Sequence, residues 1–274
     1  MKTSVLRNQQ PNSCIEGKAL LERMMKQLIP APWRVQYKAI QRSMADVWTG
    51  QRDQFVSFSP MDDSQKQRFT PQITIAQPIP ATPLSENKKH NLALAIQRLQ
   101  NVVVQPGDIF SFWHLVGQPN RAKGYLEGRT IIQAQLRADI GGGLCQLSGL
   151  LYVLSLKAGL KVLERHPHSQ DIYTDATRFA PLGSDATIVY GYKDFRFEQT
   201  LAVPICLRFE LDDREIRAML CAPLPLSEYA IDFQRQNVDG GIRVNAVRLR
   251  DSEMNVEVLH STVYQTRQTK LAGA

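Results

Sequence analysis

Cys145 is the side chain in this sequence that is best placed to do chemistry. It follows a run of three glycines, Gly141–Gly143, and begins a stretch in which leucines recur at spacings of three and four. Consecutive glycines are typical of a backbone that adopts positive φ or lies close to another group. In the first turn of a helix, unpaired N–H groups and the helix dipole stabilise negative charge. The sequence therefore predicts a thiolate nucleophile with N–H groups nearby that could hold an oxyanion.

Two histidines follow at a distance that the intervening elements can close. A helix of about 14 residues that ends at Gly159 rises roughly 21 Å, and six or seven extended residues after it cover roughly 20–23 Å. If that strand packs back along the helix, His166 and His168 return close to Cys145 on one face of the strand. Pro167 favours an extended conformation at His166. We expect at most one of the two histidines to be the catalytic base.

Other side chains complete the predicted site. Asp185 follows a Pro-Leu-Gly-Ser turn and could orient a histidine, although an aspartate there could equally cap the turn. Gln146, with local N–H groups, is the candidate oxyanion donor. We interpret Glu164 and Arg165 as a local charged pair. The candidate substrate-binding residues are Gly141, Gly142, Gly143 and Ser148.

The same residues leave other chemistries open. The residue types of Cys145, His166, His168 and Asp185 all suit zinc, but their spacing is not a recognised short metal motif. No metal ligand and no cofactor are therefore predicted, and a zinc site is kept as an alternative. The glycine run could instead grip a glycan or peptide in a non-enzymatic binding module, and a carboxylate-based glycan-cleaving enzyme is a further variant. Whether the chain is an enzyme stays open at this point.

Composition narrows the class of protein and its partners. The 274 residues are 43% hydrophobic and 22% charged, as in an ordinary globular protein. The net charge of +7 favours anionic surroundings, but the basic residues are dispersed, so we expect no nucleic-acid partner. Neither a transmembrane segment nor a signal peptide is predicted, and the expected location is cytoplasmic. Cys206 and Cys221 lie in apolar, strand-like surroundings and are expected to be buried hydrophobes.

The elements that must position these residues indicate an α+β fold, with an antiparallel sheet packed with a few helices. Apolar spacing predicts helices over 15–29, 33–49, 86–100 and the stretch that follows the glycine run. Residues 57–85 are proline-rich and are predicted to be a loop-rich connector. Strands are predicted at Lys161–Glu164, Ala186–Tyr190, Phe195–Phe197, Val203–Phe209 and Glu215–Cys221, with a final hairpin of Ile242–Arg248 and Val256–Tyr264. The expected domains are a helical and loop-rich extension (1–84), a central domain (85–222) and a C-terminal extension (223–274).

Several ordered motifs of the central domain resemble the VanW family, named from vancomycin-resistance gene clusters. They are QPGDIFSFW (105–113), GYLEGRTI (124–131), GGGLCQLS (141–148), LYVLSLKAGLKVLERHPHS (151–169), GSDATI (183–188) and DFRF (194–197). The resemblance implies a link to the cell envelope or to glycopeptide resistance, with a cell-wall-related peptide or glycan as the partner. It does not bring an established reaction.

A looser similarity concerns arrangement alone. Transglutaminase-like and papain-like thiol enzymes place a cysteine at a helix start, a histidine on a following strand and an acidic or amide partner beyond it. The order Cys145, then His166 or His168, then Asp185 is similar. It implies a thiol-dependent acyl-transfer or amide-hydrolysing enzyme that acts on a peptidoglycan-related substrate.

Overall fold

The structure, a computed structural model, describes residues 30–59, 61–132, 135–168, 180–249 and 256–265. This part of the chain contains several antiparallel sheets and five helices of unequal length. The predicted helix 15–29 lies outside these ranges. The helices are α1 (Ala31–Trp48), α2 (Asp63–Arg68), α3 (Ser85–Leu99), α4 (Phe112–Val116) and α5 (Leu144–Lys157). The strands are β1 (Thr70–Pro78), β2 (Val103–Val104), β3 (Ile109–Ser111), β4 (Glu127–Ile132), β5 (Gln135–Ile140), β6 (Lys161–Glu164), β7 (Arg196–Glu198), β8 (Ile205–Leu211), β9 (Glu215–Ala222), β10 (Ala230–Val238), β11 (Gly241–Leu249) and β12 (Val256–Gln265).

A four-stranded sheet of order β1-β9-β8-β2 forms one side of the core. Its edge strand β1 pairs with β9 along its whole length, so the prediction of a loop-rich connector over 57–85 is wrong for this stretch. Pro71 and Pro78 fit an edge strand, because one side of such a strand needs no hydrogen-bond donor. Ile73, between them, is fully buried. The short helix α2 was also not predicted; Asp62 begins it with a capping box.

Helix α5 runs through the centre of the core. The leucines that recur at spacings of three and four are buried, and so are Tyr152 and Ser155 on other faces of the helix. A helix that is buried on nearly all sides has to lie inside the protein rather than on its surface. Within the described ranges, no helix is both long enough and apolar enough to cross a membrane.

Helix α1 confirms the helix predicted over 33–49. Charged pairs anchor it to the sheet of order β3-β7-β6. Arg196 of β7 donates to both carboxylate oxygens of buried Asp46, at 2.7 and 2.9 Å. Arg42 donates to Glu164 of β6 at 2.5 Å. Truncating one partner of such a buried pair leaves an uncompensated charge, so these contacts tie the helix to the strand that leads into the site.

The C-terminal strands form a three-stranded antiparallel sheet of order β10-β11-β12. The predicted hairpin is present as β11 and β12, whereas β10, most of whose side chains are exposed, was not predicted. The predicted strand Ala186–Tyr190 is wrong, since this segment forms only the isolated bridge between Val189 and Lys193. Its backbone accepts hydrogen bonds from Cys145 and Ser148 of α5 and donates one to His166, two residues after β6. That position brings Asp185, which directly precedes it, next to the histidines.

Candidate active site

The glycine run turns the chain into α5. The helix begins at Leu144, with Gly143 as its N-cap at φ +105°, in the left-handed region that favours glycine. Cys145 is therefore the second helical residue. The N–H of Gln146 donates to the carbonyl oxygen of Gly143 at 3.0 Å. Among the described residues nothing accepts a hydrogen bond from the Cys145 N–H, which leaves this donor beside the sulfur.

A close contact with β4 requires glycine at position 142. A Cβ on Gly142 would lie 2.1 Å from the carbonyl carbon of Gly128. Fully buried Asn91 of α3 holds the contact, because its side-chain amide donates to the carbonyl oxygens of Gly142 (3.0 Å) and Leu126 (2.9 Å). It also accepts from the Leu126 N–H at 2.8 Å. The first two glycines of the run are buried by this packing, and Gly143 alone keeps part of its surface towards solvent.

His168 lies between Asp185 and Cys145. Its Nδ1 is 2.7 Å from Oδ2 of Asp185, and its backbone N–H donates to the same oxygen at 2.6 Å. Burial lowers the pKa of His168, but hydrogen bonds with Asp185 and with the Cys145 thiol, and the charges of both, raise the pKa to about 9. The Cys145 thiol also contacts the carbonyl oxygen of Ile188, at 3.7 Å. At neutral pH the site therefore holds an imidazolium beside the sulfur.

Buried Arg165 fixes the far side of Asp185. Its guanidinium group donates at 2.7–3.0 Å to five oxygens, which belong to Gly183, Thr262, Tyr264 and the backbone and carboxylate of Asp185. The Tyr264 hydroxyl also donates to the Asp185 carboxylate. Burial raises the pKa of Asp185, but the hydrogen bond from His168 and the charge of Arg165 outweigh it and lower the pKa to about 2. The carboxylate is thus held ionised and in one orientation.

Arg165 and Tyr264 are the functional residues that the sequence reasoning missed. The interpretation of Glu164 and Arg165 as a local pair is wrong, because Arg165 points to Asp185 while Glu164 accepts from Arg42. The sequence offers a weak signal for Arg165, which stands directly after a strand and three residues before His168. No local pattern indicates that β12 supplies Tyr264, since it lies far along the chain.

His166 takes a different place from His168. Its Nε2 is 2.8 Å from the carboxylate of Glu164, and its carbonyl oxygen accepts from the Thr187 N–H at 2.6 Å. The expectation that both histidines share one strand face is wrong, because β6 ends at Glu164 and residues 165–168 lose the regular alternation. No group of three or more His, Cys, Asp or Glu side chains that could hold a metal ion occurs within the described ranges.

Ser148 and Gln146 turn away from the sulfur, against the roles expected for them. Ser148 is fully buried and donates to the carbonyl oxygen of Ala186 at 2.5 Å, so it ties α5 to the segment after Asp185 instead of meeting a substrate. The side-chain amide of Gln146 donates to the carbonyl oxygen of Pro78 on β1, at 2.9 Å. An amide committed to β1 leaves the Cys145 N–H as the better oxyanion donor.

A cationic edge borders the start of α5. A Cβ on Gly143 would lie 2.6 Å from Cγ of Lys88, so the stem of this lysine crosses the exposed end of the glycine run. Burial, together with the charge of Arg129, lowers the pKa of Lys88 to about 8. Two cationic side chains beside a helix N-terminus favour an anionic group at this place.

These contacts define an α+β protein in which a cysteine at the start of a buried helix meets a histidine–aspartate pair. Residues 87–221 match the protein-family model described as VanW like protein. This part of the chain is therefore a VanW-like domain.

Two curated relatives each match part of this chain. The chain is 35% identical over 124 residues to the uncharacterized protein YoaR of Bacillus subtilis (strain 168). This alignment covers 45% of this chain and 39% of the relative. It is 33% identical over 131 residues to the vancomycin B-type resistance protein VanW of Enterococcus faecalis (strain ATCC 700802 / V583). This alignment covers 48% of each chain. The match thus spans less than half the length of either relative. No solved structure gives a significant match.

Proposed function

We propose that this VanW-like protein is a thiol-dependent enzyme that transfers or hydrolyses an acyl group on a peptidoglycan-related substrate. The observation that carries the proposal is the position of His168, which is paired with Asp185 on one side and with Cys145 on the other. A nucleophile, a base and a residue that orients the base are the three parts of such a site. The likeness to transglutaminase-like and papain-like enzymes is one of arrangement, and serves only as support.

The first step forms a thioester. The Cys145 sulfur attacks the carbonyl carbon of an amide or ester, and the carbonyl oxygen becomes an oxyanion that faces the Cys145 N–H. When the tetrahedral intermediate collapses, the bond to the leaving group breaks and His168 gives that group its proton. Asp185 keeps the His168 ring in place and stabilises its positive charge.

The second step releases the acyl group. Water or an acceptor amine gives a proton to neutral His168 and attacks the thioester carbon. The carbon–sulfur bond breaks, and the departing thiolate is stabilised by the imidazolium that has just formed. Hydrolysis and transfer differ only in the acceptor, so the same three side chains serve both outcomes.

The surroundings of the sulfur favour an anionic substrate. The stem of Lys88 crosses Gly143 and the charge of Arg129 acts on Lys88, so a carboxylate next to the scissile group would approach positive charge. Peptides with free carboxylates have the required chemistry. One relative is a vancomycin B-type resistance protein, which supports a substrate of the cell wall.

Adduct formation at Cys145 tests the proposal. The full chain is incubated with a peptide ester that carries a free carboxylate, and intact mass followed by peptide mapping locates the acyl group. We expect a thioester on Cys145 that Cys145→Ser abolishes, with the fold retained by circular dichroism, while Cys14→Ser leaves the adduct unchanged. The proposal fails if Cys145 reacts no faster than a free thiol.

A second readout separates the enzyme from the binding module and from the glycan-cleaving variant. The chain and Cys145→Ala are each incubated with purified peptidoglycan, and the released products are identified by mass. Peptide-bond products that need Cys145 support the proposal. Binding without release, or sugar-bond cleavage that Cys145→Ala retains, would contradict it.

A further inference from the structure

We propose that Cys206 and Cys221 form a cross-strand disulfide bond. The two residues stand directly opposite each other in the antiparallel register of β8 and β9. Directly opposed residues of an antiparallel pair have Cα atoms about 4.5–5.5 Å apart, and disulfides span Cα distances of about 4.4–6.8 Å. The strand pairing therefore holds the two cysteines at a separation that a disulfide needs, without movement of the backbone.

The two thiols already contact each other, and the contact makes them unequal. The hydrogen bond that the two thiols share favours the thiolate of one of them, and the charge of nearby Arg208 favours it further. Because the thiolate is the form that attacks a disulfide, this contact prepares one of the two sulfurs to react first.

An open cavity lies beside the pair. Cys206 and Cys221 are fully buried in a small cluster, separate from the main core, that also contains Met61, Phe69 and Met219. Met61 and Phe69 also line an open cavity of about 420 Å³.

The reaction needs a disulfide as oxidant, such as a small-molecule disulfide or the active-site disulfide of an oxidoreductase. The thiolate of one cysteine attacks one sulfur of the oxidant, which gives a mixed disulfide and one released thiol. The other cysteine then loses its proton and attacks the protein sulfur of the mixed disulfide, which releases the second thiol. The protein loses two protons and two electrons, and the oxidant is reduced to two thiols.

The bond would fasten two neighbouring strands of the main sheet, and it would persist only in an oxidising compartment. It therefore points to a mature protein that works outside the reducing cytoplasm, against the location expected from the sequence. The inference does not depend on the proposed enzymatic activity, because it concerns a different pair of residues and a different readout.

Thiol counting and peptide mapping test the proposal. The full chain is reduced, then equilibrated with oxidised glutathione at pH 8, and the remaining thiols are alkylated in denaturant. We expect two fewer alkylated cysteines and a linked pair of tryptic peptides, 197–208 and 218–235. The oxidised protein should also melt about 5–10 °C higher than the reduced one.

Two variants provide the controls. Cys206→Ser should abolish both the linked peptides and the rise in melting temperature, whereas the linkage should survive in a Cys14→Ser background. If Cys206→Ser does not fold, the peptide map of the unaltered chain still decides. Recovery of both peptides alkylated and unlinked after oxidation, or linkage through Cys14 or Cys145 instead, would overturn the proposal.

Discussion

Replacing His168 by glutamine is expected to slow acyl transfer to Cys145 by about 10²–10⁴-fold. Glutamine keeps part of the hydrogen bonding to Asp185 but cannot carry the proton that His168 holds beside the sulfur. The rate of thioester formation, followed by intact mass at pH 7, measures the effect directly. The unfolding transition of the variant, recorded in parallel, shows whether the fold is kept.

His166→Gln is the matched control for this prediction. His166 is two residues away and is bonded to Glu164 rather than to Asp185. We expect its replacement to change the rate less than about threefold, because a side chain outside the reacting group contributes no proton transfer. Equal losses in both variants, or a loss confined to His166→Gln, would show that the assignment of the base is mistaken.

Replacing Arg165 by methionine is expected to lower the free energy of unfolding by about 3–5 kcal/mol. The substitution leaves His168 as the cation beside the buried Asp185 carboxylate and removes the donors of five hydrogen bonds. Urea denaturation at pH 7, monitored by tryptophan fluorescence, measures the change. Acyl transfer should fall as well, since Asp185 loses the partner that fixes its orientation towards His168.

Arg217→Met is the control for the stability effect. Arg217 also pairs with two carboxylates, those of Glu210 and Glu215, but its side chain is 42% exposed, whereas that of Arg165 is 5% exposed. Exposed pairs contribute about 0–1 kcal/mol, so this variant should unfold close to the unaltered chain. A loss of stability at Arg165 no greater than at Arg217 would mean that the Asp185 carboxylate does not depend on its buried partner.

The start of the site could be predicted because its signals are local. Three glycines before a leucine-rich stretch indicate both where α5 begins and that Cys145 lies in its first turn. The length of α5, the turn at Gly159 and the strand β6 were also predictable, since the spacing of apolar residues encodes them. These elements bring the chain back towards the cysteine.

The choice between the histidines could not be made from the sequence. Period-two alternation puts His166 and His168 on one face, but β6 ends at Glu164 and the next residues follow the contacts of Arg165 and Thr187. Those contacts involve segments distant in sequence, and a local pattern carries no information about them. Edge strand β1 was not predicted for a related reason. Its prolines are typical of loops, and they fit a strand only where the neighbouring strand shows that it lies at the edge of a sheet.

The pH dependence of Cys145 alkylation tests the central claim, an imidazolium of His168 held beside the Cys145 sulfur, most directly. Iodoacetamide is reacted with the unaltered chain and with His168→Gln from pH 6 to pH 10, and the Cys145 peptide is quantified. The pKa of His168 is raised to about 9, so its positive charge is present at neutral pH and is lost as the pH rises through that value. We predict that Cys145 is alkylated at least tenfold faster in the unaltered chain than in His168→Gln at pH 6–7, and that this difference disappears above about pH 9. Equal rates for the two proteins across the whole range would contradict the account.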